Sequence, residues 1–248
     1  MNQNTKIGFL VFCLTTLGCF SPSQDQVDLA VQKEMQKRDE EKKRIYSIID
    51  EYMREKRGEI LPKDDQDRPS IDEKLRHPKR VDLGDSPIKG YKSAKVTIFY
   101  FSDFQCSYCL KENKVLEEVM KKYAGNVKLV YKFFPLPIHP EAKLAAQAAV
   151  AAQKQGKFWE MHDLMYSRQT ELQEEKLIEY AKSLGMDEQK FKKDLESPKT
   201  IQRVEAEAKA ASQLGFTKTP SFVINGVDIQ GVASLEDFSR IIDRILND

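Results

Sequence analysis

Cysteine, tryptophan and histidine are all scarce in this chain, with four, one and three residues respectively among 248. A chain of this length can bury enough apolar surface to be stable without disulfide staples, so its few cysteines are free for other roles. The 40 basic residues nearly equal the 39 acidic ones, so no global charge favours nucleic acid as a partner. After Cys19, no apolar run is long enough to form a transmembrane helix.

The N-terminal residues have the pattern of a secretory signal. Lys6 precedes eleven uncharged residues, 7–17, which suit a signal core and are too few for a permanent membrane span. The stretch Thr16-Leu17-Gly18-Cys19 resembles a bacterial lipobox, in which the cysteine receives lipid and becomes the mature N-terminus. The alternative is cleavage to a soluble periplasmic protein. Both routes lead to a compartment where disulfides persist, and we expect a lipid-anchored protein on the periplasmic side of the bacterial cell envelope.

Residues 25–80 contain 15 basic and 15 acidic residues, so more than half of this segment is charged. Arg38 and Lys42 interrupt a heptad seam that accommodates five apolar residues: Val31, Met35, Ile45, Ile49 and Tyr52. A solvated stalk helix and an oligomerising coiled coil are both compatible with this pattern. Gly58 and Pro62 end the predicted helix, and residues 62–78 then resemble a polar linker. The N-terminal part is thus interpreted as a signal peptide (1–19) followed by a charged helical stalk and linker (20–80).

The sequence Cys106-Ser107-Tyr108-Cys109 is the most informative motif of the chain. Two thiols separated by two residues at the start of a helix can form a short disulfide that is made and broken in the working protein. If the N-terminal segment is removed, Cys106 and Cys109 are the remaining free thiols. A structural disulfide or half of a zinc site are the alternatives. A zinc site needs about four ligands, and the chain has no second cysteine pair beside this one.

The order of predicted elements places this motif in an α/β domain. The β-branched and aromatic run 96–101 predicts a buried central strand, residues 106–123 a helix and residues 127–134 a second strand. This order with short links implies a right-handed parallel βαβ unit. Helical patterns dominate from Pro140 to Leu214, and Asn225-Gly226 predicts a hairpin between strands 221–224 and 227–229. A last amphipathic helix, 235–246, begins after the N-cap Ser234.

Four segments carry a resemblance to a known family. They are Phe101-Ser102-Asp103-Phe104-Gln105-Cys106-Ser107-Tyr108-Cys109, Phe134-Pro135-Leu136-Pro137-Ile138-His139-Pro140, Phe158-Trp159-Glu160-Met161-His162 and Thr219-Pro220-Ser221-Phe222-Val223-Ile224-Asn225-Gly226. With these segments, residues 81–248 resemble the DsbA-like thiol-disulfide oxidoreductase family. The resemblance implies an α/β thioredoxin fold with an inserted all-helical subdomain at about 139–214, preceded here by the charged N-terminal helix and linker.

The two cysteines are predicted to have different roles. Cys106 lies at the helix N-terminus, where unpaired N–H groups and the helix dipole favour a thiolate, so we expect an exposed nucleophile with a lowered pKa. Cys109, one turn later, should be more buried and should resolve the mixed disulfide. Ser107 and Tyr108 are expected to tune the redox potential. In the oxidising members of the family the position of Tyr108 is often histidine, and a tyrosine hydroxyl brings no positive charge.

Further site residues follow from the resemblance. Thr219-Pro220 resembles the family's cis-proline loop, which lies beside the Cys-x-x-Cys and pairs with an extended client segment like an added strand; an ordinary trans proline is the alternative. Six residues before the first cysteine the family usually has a buried acid that accepts the proton of the second cysteine. Here Tyr100 occupies that position, so water, the Tyr100 hydroxyl or Lys132 are the candidates for a proton relay, although Lys132 is also interpretable as a surface lysine.

The other polar and aromatic residues near these motifs are interpreted conservatively. His139 and His162 are predicted to be structural, since a lone histidine among prolines or beside Trp159 packs more often than it catalyses. Asp103 is interpreted as a turn residue near the site. An apolar surface that receives unfolded clients could be formed by three aromatic residues, Phe104, Tyr108 and Phe134, the last of which also fits the core.

We therefore predict an exported thiol-disulfide oxidoreductase that exchanges disulfides with cysteine-containing envelope proteins through Cys106 and Cys109, most readily as an oxidant. A membrane redox partner would reset the disulfide, a lipid on Cys19 would hold the protein at the membrane, and neither a metal, a cofactor nor nucleic acid is expected. One alternative is an isomerase or reductase that forms a homo-oligomer through the N-terminal helix. An alternative of another class is a non-catalytic, client-binding lipoprotein.

Overall fold

The computed structural model describes residues 30–34, 36–38, 40, 44, 48 and 70–247. The chain divides into two units, 1–68 and 69–248. The residues described in the first unit are helical. Cys13, Cys19, the signal segment and four of the five predicted seam residues lie outside the described residues, so the lipobox and the coiled coil remain predictions. No helix in the described ranges is long and apolar enough to cross a membrane.

The described part of the second unit, residues 70–247, contains the predicted elements in the predicted order, together with a helix at 71–76 and a strand at 88–90 that were not predicted. Its strands are β1 (Ile88–Gly90), β2 (Val96–Ser102), β3 (Val127–Phe133), β4 (Ser221–Ile224) and β5 (Val227–Gln230). Its helices are α1 (Ile71–Arg76), α2 (Ser107–Lys122), α3 (Ala142–Gln153), α4 (Phe158–Ser167), α5 (Glu174–Ser183), α6 (Glu188–Leu195), α7 (Pro198–Gln213) and α8 (Leu235–Leu246). Strands predicted at 96–101, 127–134 and 227–229 therefore differ from the observed ones by a single residue at one end.

The five strands form one mixed sheet in the order β1-β3-β2-β4-β5. Strand β2 is central and pairs in parallel with β3, with Tyr100 opposite Tyr131, while α2 connects the two strands. Strand β4 is antiparallel to β2 and places Phe222 on the other side of Tyr100. The parallel βαβ unit is thus confirmed. The hairpin β4–β5 turns at Asn225 and Gly226, whose φ angles of 44° and 99° suit the predicted turn.

Both faces of the sheet are covered, which explains why the central strands are apolar throughout. On one face, alternate residues of β2 and β3 pack with α2, α8 and the inserted helices: Val96, Ile98, Tyr100, Leu129, Tyr131 and Phe133. The opposite face has a smaller cluster with α7, made of Phe101, Phe134, Ala211, Phe216 and Val223. The cysteine pair belongs to the first and larger core.

Helices α3 to α7 form the inserted helical block, as predicted. Helix α3 is alanine-rich and buried along most of its length, and it packs against α4, α6 and α7. Small side chains allow this close approach of helix backbones because they occupy little interhelical space. The block brings Tyr166, near the end of α4, against the end of strand β2 through its hydroxyl group.

The predicted polar linker, 62–78, requires a correction at its C-terminal end. Residues 71–76 form helix α1, which packs against β5, and Lys74 Nζ lies 3.0 Å from Asp228 Oδ1. The Lys79 amide donates to the Gly226 carbonyl at 3.0 Å. The high content of charged residues is the reason why this stretch of sequence resembles a linker. Lys74 and Lys79 instead pair with Asp228 on the hairpin, so the folded unit begins before residue 81.

Candidate active site

Cys106 and Cys109 lie where strand β2 gives way to helix α2. The Cys106 amide donates to the Asp103 carbonyl at 3.1 Å, which closes the turn after the strand, and Cys106 is the N-cap of α2. Cys109 is fully buried one turn into the helix. Both residues are thiols in this structure. Cys106 is only 5% exposed, because the Thr219 loop packs against it. Its side chain is therefore less accessible than the exposed nucleophile that the sequence predicts.

The two thiols differ in acidity as their positions predict. A hydrogen bond from the Cys109 thiol is the main cause that lowers the pKa of Cys106 to about 6, against an opposing effect of burial. The backbone N–H groups of Cys109 and Tyr108 lower it further. Burial raises the pKa of Cys109 well above its ordinary value. One cysteine is therefore a ready thiolate at neutral pH, and the other is held as a thiol.

The Thr219–Pro220 peptide bond is cis, as the sequence predicts. The Cys106 thiol donates to the Thr219 carbonyl, with a sulfur–oxygen distance of 3.5 Å. On the far side of the loop the Gly231 amide donates to the Pro220 carbonyl at 2.8 Å. The loop thus joins the reactive cysteine to the β4–β5 hairpin. Ser107 and Tyr108 open helix α2 beside it, and the Tyr108 side chain is exposed.

Asp103 has a larger structural role than that of an ordinary turn residue. Its fully buried carboxylate accepts hydrogen bonds from the Gln105 and Leu136 amides, each at 2.8 Å. His139 Nδ1 lies 2.8 Å from the same carboxylate. The turn that holds Cys106 is thereby joined to the loop after β3. This contact agrees with the structural role predicted for His139.

The two predicted relay residues lie on opposite faces of the sheet. The Tyr100 hydroxyl donates to the Cys109 carbonyl at 3.2 Å, so Tyr100 lies beside the cysteine pair. Lys132 alternates with Tyr131 and Phe133 of the larger core and therefore points to the other face. There its ammonium group donates to the Leu83 carbonyl at 3.2 Å and pairs with Glu207 at 3.9 Å. This geometry contradicts both a relay role for Lys132 and its interpretation as a surface lysine.

Three hydroxyl groups near Cys109 were not predicted from the sequence. Ser102 ends strand β2, and its Oγ lies 2.6 Å from the Tyr166 hydroxyl, which is 3.3 Å from the Tyr131 hydroxyl. A hydrogen bond with Ser102 lowers the pKa of Cys109, although burial outweighs it. Tyr166 lies 64 positions after Ser102 in the chain, and no local pattern connects them.

The predicted apolar surface is only partly present. Tyr108 is 58% exposed, whereas Phe104 and Phe134 are buried. Phe104 stacks on Tyr131 in the larger core, and Phe134 belongs to the smaller cluster on the other face. The exposed apolar residues of the neighbouring loops are instead Ile138, beside His139, and Val232, after Gly231. Of the three aromatic residues, Tyr108 alone fits the prediction.

Glu112 and His162 are two further buried ionisable residues close to this region. Glu112 lies on the buried face of α2, and its carboxylate accepts from the Ala233 amide at 3.2 Å. Burial raises the pKa of Glu112 to about 7. The sequence missed this residue, although its helical spacing from Cys109 and Leu116 could have revealed it. His162 is buried against Trp159 and Tyr166, and burial lowers its pKa, in keeping with a structural role.

A redox-capable cysteine pair at a helix N-terminus, beside a cis-proline loop on a mixed sheet, defines a thiol-disulfide exchange site of the thioredoxin class. A family model described as thioredoxin matches residues 82–244. The chain belongs to this thioredoxin family, and its fold is similar to that of DsbA-like proteins such as alpha-DsbA2 from Wolbachia pipientis, at 21% identity with a TM-score of 0.58 over 64% of this chain and 87% of that one.

Solved structures share this fold. A thioredoxin-like oxidoreductase from Silicibacter pomeroyi is 26% identical, with a TM-score of 0.59 over 66% of this chain and 94% of that one. BdbD from Bacillus subtilis shares the fold at 22% identity, with a TM-score of 0.62 over 69% and 98% of the two chains. A segment of the Na(+)/H(+) antiporter NhaA 3 of Salinispora tropica is 34% identical over 163 residues, 65% of this chain and 25% of the antiporter. The chain spans about a quarter of the length of the curated relatives it matches.

Proposed function

We propose that this protein is an exported thiol-disulfide oxidoreductase that oxidises cysteine-containing proteins in the bacterial cell envelope. The observation that carries the proposal is the contrast within the cysteine pair. Hydrogen bonds lower the pKa of Cys106 to about 6, whereas burial raises the pKa of Cys109. Because the Cys106 thiolate is stable, it is a good leaving group, and the reduced form of the pair is favoured over the disulfide. Both properties suit a donor of disulfides.

The reaction begins from the Cys106–Cys109 disulfide. A client thiolate attacks Cys106 Sγ, the bond between the two cysteines breaks, and its electron pair goes to Cys109 Sγ, which takes up a proton. A second client thiolate attacks the client sulfur of the mixed disulfide, and Cys106 leaves as a thiolate. The client loses two electrons and two protons. The cysteine pair gains the two electrons and one proton, and the other proton goes to solvent above about pH 6.

The surroundings of Cys106 support an extended, apolar client segment. The cis-proline loop lies beside the thiol, and its Thr219 backbone would pair with the client as an added strand does. Exposed Tyr108 in the first turn of α2, together with Ile138 and Val232 in two loops, would contact apolar client side chains. Ser107 and Tyr108 would set the potential. Tyr108 adds no charge, so Cys106 relies on neutral hydrogen-bond donors for its lowered pKa.

Localisation and partners are part of the same proposal. Residues 1–19 would act as a lipoprotein signal with lipid on Cys19, and the charged segment that follows would hold the domain away from the membrane. A membrane redox partner would re-oxidise the cysteine pair after each cycle. An oligomer formed through the N-terminal helix would favour isomerase or reductase activity instead. Sedimentation of the mature protein with and without residues 20–60 distinguishes the oxidant from the oligomeric isomerase or reductase. A monomer in both preparations would argue against the isomerase.

The direction of electron flow is tested by equilibrating the Cys106–Cys109 pair with glutathione buffers. We expect a potential nearer to about −120 mV than to about −270 mV, which would mark a disulfide donor. Oxidation of a reduced, unfolded client should occur with the wild type and be abolished in Cys106→Ser. A potential near about −270 mV would overturn the oxidant assignment. Unchanged client handling by Cys106→Ser would instead indicate a non-catalytic binding protein.

A further inference from the structure

Lys79 is a half-buried residue whose side chain reaches the end of helix α7. Its ammonium group donates to the carbonyl of Leu214, which is the C-cap residue of that helix. A carbonyl at this position has no partner within its own helix, and the negative end of the helix dipole favours a nearby cation. The same ammonium group lies 5.4 Å from the centre of the Phe216 ring. Lys79 therefore holds the chain where it leaves α7.

Lys79 also holds the hairpin that follows in the sequence. Its ammonium group lies 3.4 Å from Asp228 Oδ2 on β5, and its backbone amide donates to the Gly226 carbonyl at 3.0 Å. Gly226 lies in the turn between β4 and β5. A single residue is thus bonded to the chain on both sides of residues 215–225.

The cis-proline loop, residues 215–220, lies between these two attachments. Phe216 fixes its first part, since the ring is buried in the smaller cluster on the α7 face of the sheet. The Gly231 amide fixes its last part by donating to the Pro220 carbonyl at 2.8 Å. Lys79 connects the two parts, because its ammonium group bonds the end of α7 and the hairpin at the same time.

The position of this loop matters for client recognition because Thr219 lies against the reactive cysteine. Its carbonyl accepts a hydrogen bond from the Cys106 thiol, with a sulfur–oxygen distance of 3.5 Å. In the proposed reaction the Thr219 backbone also pairs with an extended client segment. A loop that occupies the binding position for only a fraction of the time binds its client more weakly by that fraction. Fixing the loop before the client arrives therefore strengthens binding.

We infer that Lys79 is a positioning residue for client recognition, which fixes the cis-proline loop by bonding the C-cap of α7 and the β4–β5 hairpin at once. This inference rests on the proposed exchange with protein clients. The bonds of Lys79 are to Leu214, Gly226 and Asp228, so its effect reaches the client through the loop. Attack of a small thiol on Cys106 Sγ requires no paired backbone and should not depend on Lys79.

The anchoring itself is tested by hydrogen–deuterium exchange of the free protein, read in peptides that report on residues 215–220. Lys79→Met keeps an unbranched aliphatic side chain and removes the ammonium group. We expect exchange in this loop to be roughly tenfold faster than in the wild type, as for the loss of one hydrogen bond from a charged group. Lys74→Met is the matched control, because Lys74 also pairs with Asp228, at 3.0 Å, and donates to its carbonyl at 2.8 Å. Both of these contacts lie on the hairpin, so the loop of this variant should exchange at the wild-type rate.

The consequence for function is tested in single turnovers of the oxidised protein with an excess of a reduced, extended peptide client that contains two cysteines. We expect Lys79→Met to raise the half-saturating client concentration by roughly three- to tenfold and to change the maximal rate by less than about twofold, because fewer molecules have the loop in place. Opening of the Cys106–Cys109 disulfide by dithiothreitol, which has no peptide backbone, should stay within about twofold of the wild-type rate. Lys79→Arg keeps the charge and the donors and should restore the wild-type half-saturating concentration.

Equal exchange of the loop in Lys79→Met and Lys74→Met would overturn the inference, as would an unchanged half-saturating client concentration in Lys79→Met. The proposed function fails separately, if the wild type reacts with dithiothreitol but forms no disulfide in the peptide client. Faster exchange of the loop in Lys79→Met would still support the anchoring in that case.

Discussion

Burial disfavours the charged form of Cys106, Cys109 and Glu112 alike, and hydrogen bonds outweigh it at Cys106 but not at the other two. Cys106 caps the helix and collects hydrogen bonds, so its thiolate is stabilised. Cys109 and Glu112 follow at intervals of three residues on the buried face, and burial raises the pKa of both. Glu112 accepts hydrogen bonds from the Ala233 amide alone, within the part of the chain that the structure describes. A single amide only partly offsets the loss of hydration of a carboxylate.

The replacement Glu112→Gln should make the protein more stable at neutral and alkaline pH. The folded-state pKa of Glu112, about 7, lies above the ordinary value of 4.5, so the wild type loses stability as pH rises from about 4.5 to 7. The glutamine variant keeps an acceptor for the Ala233 amide and lacks this loss. Its gain in free energy of unfolding should be near zero at pH 4 and on the order of 3 kcal/mol at pH 8.

Urea denaturation at the two pH values measures this difference. The control is Glu118→Gln on the exposed face of α2, which should not alter the pH dependence. Equal stability of wild type and Glu112→Gln at pH 8 would contradict a buried, destabilised carboxylate at position 112.

At the scale of elements, the β4–β5 hairpin holds both the cis-proline loop and the N-terminal residues of the folded unit. Gly231 anchors the Pro220 carbonyl at one end of β5. At the other end the Gly226 carbonyl accepts from the Lys79 amide at 3.0 Å, and Asp228 pairs with Lys74 and Lys79. Residues 74–79 thus cover the turn of the same hairpin that positions the loop beside Cys106. Their attachment requires a turn residue without a side chain.

The replacement Gly226→Ala should detach residues 78–80 from the hairpin. Gly226 has a φ of 99°, and an added Cβ would overlap the Pro78 ring and lie 2.9 Å from Pro78 Cα. We expect a loss of about 2 to 4 kcal/mol in the free energy of unfolding, together with faster trypsin cleavage after Lys79 or Arg80. Gly125→Ala is the matched control, because Gly125 has a φ of 85° with no atom within 4 Å of an added Cβ.

The Gly125→Ala control separates the effect of backbone strain from that of steric overlap with Pro78. Gly125→Ala should lose only the roughly 1 to 2 kcal/mol that an alanine in the left-handed region costs. If both variants lose the same stability and residues 78–80 stay protected from trypsin, the contact between Pro78 and the turn has no role in holding this segment.

At the scale of the whole molecule, the redox state of the cysteine pair is linked to the stability of the fold. In the reduced protein the pKa of Cys106 is lowered from 9.0 to about 6, and the oxidised protein has no such thiol. A lowered pKa contributes stability that is complete above the unfolded-state value and is lost as pH falls through about 6. The raised pKa of Cys109 has no effect below about pH 8, because its thiol is protonated there in both folded and unfolded states.

We therefore expect the reduced protein to gain stability relative to the oxidised protein as pH rises from 6 to 8. The difference in the free energy of unfolding should grow by at most roughly 1.4 kcal/mol per pH unit. Chemical denaturation of both redox forms at pH 6, 7 and 8 measures it, and the slope should vanish in Cys106→Ser. A pH-independent difference between the two forms would contradict a lowered pKa of Cys106.

Much of the architecture follows from local patterns. Residues 96–101, with their β-branched and aromatic side chains, indicated the central strand, and Asn225-Gly226 indicated the hairpin, because turn and strand preferences act over a few residues. The sequence Cys106-Ser107-Tyr108-Cys109 after a strand located the site, and the helix N-terminus predicted that Cys106 is the more acidic of the two thiols. The segment 70–80 was misassigned to a linker, because its charge pattern does not reveal partners 150 residues away.

The sequence by itself therefore determined the order of the central strands and helices and the cysteine pair, since these depend on short-range conformational preferences and on a motif with fixed spacing. Its resemblance to a known family implied the fold class and the cis-proline loop. Tertiary structure alone decided which side chains surround the buried cysteine. The packing placed Lys132 on the opposite face of the sheet and buried Phe104 and Phe134. It also brought Tyr166 from the inserted helices to Ser102. Such contacts join residues that are distant in the chain, and they depend on how helices and sheet pack together.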